Sequence, residues 1–395
     1  MAAFTLAERM AQLGTETAFE VLARARALEA QGREIIHLEI GEPDFPTPPH
    51  IVAAAKQALD EGYTHYVPSP GLPELREAIA RHVAATRGIP VTPEEVVVTP
   101  GAKPVMFFAA FMLCGPGDEV LYPDPGFPIY PSVAAFAGAR PVPLRLRPER
   151  GFRLDPDELR ATLTDRTRLL ILNSPHNPTG ATLTAEDLAA IAALVRDRRL
   201  IVLSDEIYRE IVYDGRAASI ASLPGMRERT IILDGFSKTY AMTGWRLGYG
   251  VMPRPLAEAM TRLIVNSVSC TAAMTQRAGL AALTGPQDAV RAMVAEFRRR
   301  RDALVAGLNA IPGISCHLPG GAFYAFPDIR GTGLSSAELA ERLLQEAGVA
   351  TLAGTAFGPG GEGFLRLSYA AALPDLERAL ARIAAVLAGR TVIGS

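Results

Sequence analysis

The sequence predicts an α/β fold in which a mostly parallel sheet is flanked by helices and followed by a smaller α/β unit. Three observations carry this. From about residue 95 to 251, short segments rich in Val, Ile and Leu alternate with helical patterns. Most of these segments are continuous apolar runs, which suits strands covered on both faces. After about Pro286 the character changes to a long helical pattern, 287–308, then short strands and further helices.

The elements follow in order. Apolar residues at helical spacing (Ala18, Val21, Leu22, Ala25, Leu28) predict a helix from Thr15 to a stop at Gly32. Glu34 to Ile40 reads as a strand running into the turn Gly41-Glu42-Pro43-Asp44. The next strands are expected at 95–99, 119–122, 168–173, 200–204, 230–234 and 247–251. A last helix is expected at 373–387. The basic run Arg298 to Arg301 lies in a helical pattern and reads as its solvated side. No repeat or low-complexity segment interrupts the chain.

Composition excludes several classes. A net charge of −2 with scattered Lys and Arg gives no electrostatic footprint for nucleic acid. No stretch approaches the roughly 20 apolar residues of a membrane span, and the N-terminus carries Glu8 and Arg9 where a secretory leader would be apolar. The three cysteines, Cys114, Cys270 and Cys316, show no paired spacing and read as buried thiols of a reducing cytoplasm.

Four segments carry chemistry, and each follows a strand. In the run 234–248, a Gly-bounded loop presents Lys238 among Phe236, Tyr240, Met242 and Trp245. A lysine attacks an aldehyde only when its amine is neutral, and an apolar setting favours that form. Arg246, eight residues on, is a second cation suited to a phosphate. In 200–208, an apolar strand delivers Asp205 at its carboxyl end, where ligands bind in open α/β sheets. A buried Asp needs a partner; a protonated pyridine nitrogen would serve, and an ordinary helix cap is the alternative. In 96–104, strand, glycine turn and helix start make an anion site of Gly101, Ala102 and Lys103. In 173–180, two X-Pro steps and Gly180 make a rigid turn that can fix Asn177.

Together these segments resemble the class I/II aminotransferases of the fold-type-I pyridoxal-phosphate enzymes. The resemblance runs from the turn at Gly41 to Arg366-Leu367-Ser368-Tyr369, and it is nearest the bacterial aspartate-aminotransferase-like subgroup. It implies that Lys238 is the Schiff-base lysine and proton shuttle, Asp205 the partner of the pyridine nitrogen, and Asn177 and Tyr208 donors to the ring oxygen. It further implies that Gly101, Ala102, Lys103 and Arg246 hold the phosphate and that Phe127 stacks on the ring. Tyr66 would reach the phosphate of a neighbouring subunit, which implies a homodimer. Arg366 and Gly41 would hold the substrate α-carboxylate, with Asn177 beside it. The implied domains are a large cofactor-binding domain, 46–289, and a small domain made of 1–45, with its N-terminal arm, and 290–395.

Two positions bear on the substrate. Phe111 falls near a polar contact of some aspartate enzymes, and Glu16 falls in the segment lining the distal pocket of relatives. An apolar wall with a carboxylate predicts neutral or basic amino-acid donors, passing the amino group to a 2-oxo acid in a ping-pong sequence. A β-lyase, decarboxylase, racemase or oxidase would use the same lysine and aspartate. A nicotinamide-dependent dehydrogenase would want GxGxxG after a strand; the glycines of 358–363 do not open a clear helix. A transcription regulator on the same fold would need a DNA-binding module, for which the chain leaves no room.

Overall fold

The computed structural model describes residues 4–390. Twelve strands follow one another: β1 Ile36–His37, β2 Val96–Thr99, β3 Glu119–Asp124, β4 Arg140–Arg145, β5 Thr167–Asn173, β6 Ile201–Asp205, β7 Thr230–Gly235, β8 Gly248–Val251, β9 Tyr324–Ala325, β10 Val349–Ala350, β11 Leu352–Ala353 and β12 Leu365–Ser368. Seven of them form one sheet in the order β2-β8-β7-β6-β5-β3-β4. Only β8 runs antiparallel to its neighbours; the remaining pairs are parallel. Every residue of β2, β7 and β8 is buried, as their unbroken apolar runs require.

Strand β4 was not among those expected. Its sequence is Arg-Pro-Val-Pro-Leu-Arg, and neither proline can donate a ladder hydrogen bond. The sheet order places it at an edge, where such a strand is tolerated. The expected strand at 34–40 contracts to β1, which pairs in parallel with β10. That pairing ties a segment near residue 36 to one more than 300 residues later. Strands β11, β12 and β9 form a separate antiparallel sheet. Beside it the helix Asp288–Asn309 lies close against Leu373–Leu387: a Cβ on Gly307 would collide with Leu380.

The basic run on this helix departs from expectation. Arg298 and Arg299 are exposed, but Arg300 and Arg301 are buried. Four successive residues span roughly 300° of a helix, so they cannot share one face. Arg300 bridges Asp44 (2.7 Å) and Glu296 (2.9 Å) and lies over Phe45. Arg301 lies over Tyr213, 4.5 Å from its centroid, and donates to the Pro319 carbonyl. The three cysteines are free; Cys316 is buried, and Cys114 and Cys270 are only partly so.

One ionic cluster lies under the carboxyl ends of β6 and β7. Arg87, the last residue of the helix Pro73–Arg87, donates through Nε to Glu206 (3.0 Å) and pairs with Asp234. Glu206 also accepts from Ser204 (3.0 Å) and Ser219. All three charged groups are buried. Removing one member would strand the others without water. Arg87→Leu is therefore expected to lose about 3–5 kcal/mol of stability, read as a lowered urea midpoint; an unchanged midpoint would show that the cluster carries no weight.

Candidate active site

Strands β2, β5, β6 and β7 all end at one edge of the sheet, and the loops that follow them open onto a cavity of about 530 Å³. Ala102, Lys103, Asn177, Asp205, Tyr208, Lys238, Arg246 and Arg366 all line it, although they are spread over more than 260 residues. The geometry follows from the parallel sheet, which aims every carboxyl end the same way.

Lys238 sits in the loop after β7. Its Nζ donates to the Gly41 carbonyl at 2.6 Å. Burial pulls its pKa down from 10.5 to about 8, opposed by the Glu42 carboxylate and reinforced by Arg366. Asp205 ends β6 and is buried. Its Oδ2 accepts from Tyr130 (2.7 Å), and its Oδ1 accepts from the Ile207 N–H (3.3 Å). Burial holds its carboxyl up, at about 6, against those two donors. A cation facing it would restore the ionised form. Tyr208 shares a hydrogen bond of 2.7 Å with Tyr324. Asn177 is held through its N–H by Asn173 Oδ1 (2.9 Å).

Arg366, on β12, is buried beneath the opposite wall. It donates to the Glu39 carbonyl and, at 3.5 Å, to Asn177 Oδ1. Its guanidinium lies over Tyr324 (4.6 Å) and Phe357 (5.1 Å). Its Nε has no partner, and no carboxylate among the described residues pairs with it. A buried cation left in this state is a receptor for an anion.

At the other end, Arg246 adopts a left-handed backbone (φ 56) and its guanidinium lies against Gly101 (φ 84). A Cβ at Gly101 would collide with it. The glycine thus lets the guanidinium approach the turn that opens the helix Lys103–Leu113, where backbone N–H groups are free for an anion. Lys103 pairs with Glu16 and stands 5.5 Å from the centroid of Phe127.

Two expected residues lie apart. Phe111 does not line the cavity, which corrects its expected place there. It sits one turn beyond Phe107 on the same helix, stacked on that ring at 4.8 Å and partly exposed. Tyr66 is 88% exposed and does not line this cavity either. The cavity also uses residues not foreseen. Tyr130, Tyr324, Phe357, Met106 and Leu352 all line it. Tyr130 lies only three residues after Phe127, and the two rings meet edge to face with centroids 5.7 Å apart.

The residues fit pyridoxal phosphate. The Gly101–Arg246 cradle suits a phosphate, Asp205 suits a protonated ring nitrogen, and Lys238 suits the aldehyde. Fold and site thus define a pyridoxal-phosphate-dependent enzyme of fold type I. Residues 33–383 match the family described as aminotransferase class I and II. The chain is 42% identical over 388 residues to an aspartate aminotransferase of Pyrococcus horikoshii, covering 98% of each. It is 44% identical to an aromatic-amino-acid aminotransferase of Thermococcus litoralis, covering 92% of this chain and 95% of that one. The solved aspartate aminotransferase of Rhizobium meliloti superposes with a TM-score of 0.94 at 38% identity, over 98% of this chain and 99% of the other. The chain belongs to the class I and II aminotransferases, pyridoxal-phosphate enzymes that move an amino group from an amino acid to a 2-oxo acid.

The lowered Lys238 pKa has a measurable sign. Below about 8 the ammonium dominates, and above it the free amine does. In protein stripped of cofactor, the rate of aldehyde capture should rise with pH and level off just above 8. A rate still climbing steadily at pH 10 would place the amine in an ordinary, solvated setting.

Proposed function

We propose that this aminotransferase takes neutral amino acids with apolar or aromatic side chains as its preferred donors. The supporting observation is the wall of the cavity: Phe19, Ile40, Met106, Leu352 and Phe357 line it, and of its glutamates Glu16 is engaged by Lys103 and Glu42 by Thr243. The expectation of a basic donor rested on a free Glu16, and the pairing with Lys103 weakens it. A dicarboxylic donor has one specific observation in its favour, the Lys103 ammonium, which would have to leave Glu16 to meet a side-chain carboxylate.

The roles of the chain's own groups follow from their positions. Arg366 receives the donor carboxylate, with Asn177 at its flank. Lys238, in its free-amine form, accepts the α-proton and delivers it back on the other side of the same transfer. Bound pyridoxal phosphate supplies the electron sink that makes the α-proton removable. Asp205 provides the negative charge that keeps a ring nitrogen protonated, and Tyr130 steadies that carboxylate. Arg246 and the 101–103 turn hold the phosphate. Because one site serves donor and acceptor in turn, the kinetics are ping-pong.

Exposed Tyr66 supports a homodimer in which it serves the partner's phosphate site, and the β1–β10 pairing supports a small domain drawn from both chain ends. The absence of any helix among the described residues long and apolar enough to cross a membrane, together with three free cysteines, supports a cytoplasmic setting. Sedimentation at a monomer mass in the presence of cofactor would remove the dimer.

A donor panel tests the preference. Leucine, methionine and phenylalanine should exceed aspartate and glutamate in kcat/KM; a clear win for either dicarboxylate would sink it. Lys238→Ala should lose nearly all turnover with every donor. Arg366→Gln removes a buried charge partner, a loss of roughly 2–5 kcal/mol, or about 30- to 5,000-fold in kcat/KM. Unchanged kinetics in Arg366→Gln would refute the carboxylate assignment.

A further inference from the structure

A second cavity lies behind the Lys238 loop. Its volume is about 510 Å³, near the 530 Å³ of the active site, and the two share no lining residue. One wall is a stripe of the helix Asp288–Asn309 formed by Val290, Arg291, Val294, Ala295 and Arg298. Such spacing keeps all five on one helical face. Glu210 and Val212 come from the segment after β6, and His82 from the helix Pro73–Arg87. Thr239 and Tyr240, the two residues after Lys238, line it as well, together with Tyr213, Leu283 and Gln287.

The charges here are arranged to receive both signs. Glu210 forms no ion pair or side-chain hydrogen bond among the described residues, although two arginines line the same cavity. Arg291 pairs with Asp288 (2.6 Å) and Arg298 with Asp214 (2.8 Å), and all four of these side chains are largely exposed. Exposed pairs of this kind are worth about 0–1 kcal/mol and exchange readily for a better anion. His82 is not a counter-charge for Glu210, since burial and the nearby Arg87 disfavour its protonation. Between acid and bases the lining is apolar: Val212, Val290 and Val294.

We propose that this cavity is a second site for a free amino acid with an apolar side chain. Its ammonium would meet Glu210, its carboxylate Arg291 or Arg298, and its side chain the three valines. An anion alone would leave Glu210 unmet, and a cation alone would leave the arginines in their weak, exposed pairs with Asp288 and Asp214. The zwitterion answers both, and it belongs to the same chemical class that the active site consumes. The occupant would touch the loop carrying Lys238. Tyr240 packs near Phe236 (5.8 Å between centroids) and donates to Gln287 at 3.2 Å, so the loop and the helix 288–309 are joined at this cavity.

Equilibrium dialysis of the holoenzyme with α-methyl-L-leucine tests the proposal. The probe lacks the α-hydrogen that transamination removes, so it is not consumed by that reaction. Cofactor absorbance reports active-site occupancy separately. Wild type should bind two molecules per chain. Glu210→Gln, which keeps size and loses charge, and Val294→Trp, which fills the space, should each bind one, with the spectral response of the active site retained. One molecule per chain in wild type alongside a full spectral response, or two in both variants, would overturn the second site. If the spectrum does not move, the active site has refused the probe, and the expected counts become one in wild type and none in the variants. That pattern would count against the donor proposal while leaving the second site standing.

Discussion

Desolvation at the carboxyl edge of the sheet is the constraint on which the rest depends. Lys238, Asp205 and Arg366 are each withdrawn from water into one cavity, and each is thereby made unlike its free form. The amine loses its proton more readily, the carboxyl keeps its proton longer, and the guanidinium is left seeking an anion. In water the same groups would be an ordinary ammonium, carboxylate and guanidinium, matched to their own hydration and to nothing else. In the proposed function, cofactor and donor would bring a cation to Asp205, an aldehyde to Lys238 and a carboxylate to Arg366.

Such a site requires support from below. Glu206 follows Asp205 in the chain, and Asp234 lies four residues before Lys238, yet both turn away from the cavity toward Arg87. Adjacent acids thus face opposite ways: one toward the ligand, one toward a buried arginine that neutralises it. Glu206 and Asp234 are both still felt at Asp205, where their charge adds to burial in helping the carboxyl keep its proton. The Arg300–Asp44 pair acts similarly from the far side, pinning the turn whose Gly41 carbonyl receives the Lys238 amine.

Much of this was legible along the chain because the features were local. Continuous Val/Ile/Leu runs marked the inner strands, and the loops after them carried Lys238, Asp205, Asn177 and the Gly101 turn in recognisable surroundings. What escaped was of a different kind. Strand β4 was hidden by two prolines that only an edge position excuses. Burial of Arg300 and Arg301 depended on Asp44, Tyr213 and Pro319, none of them near in sequence. Phe111 lies off the cavity because five residues, about 140° around the helix, separate it from Met106, which lines the cavity.

By itself the sequence determined the family and the α/β architecture and singled out the groups proposed to handle cofactor and carboxylate, since those rest on residue type and on spacing within short segments. Only the tertiary structure decided which way each group faces and what it meets. It paired Glu16 with Lys103, set Tyr130 on Asp205, left Arg366 without a carboxylate and opened a second cavity behind the Lys238 loop. Contacts between residues far apart in the chain follow from how the strands are ordered and the helices packed, and no local pattern encodes that.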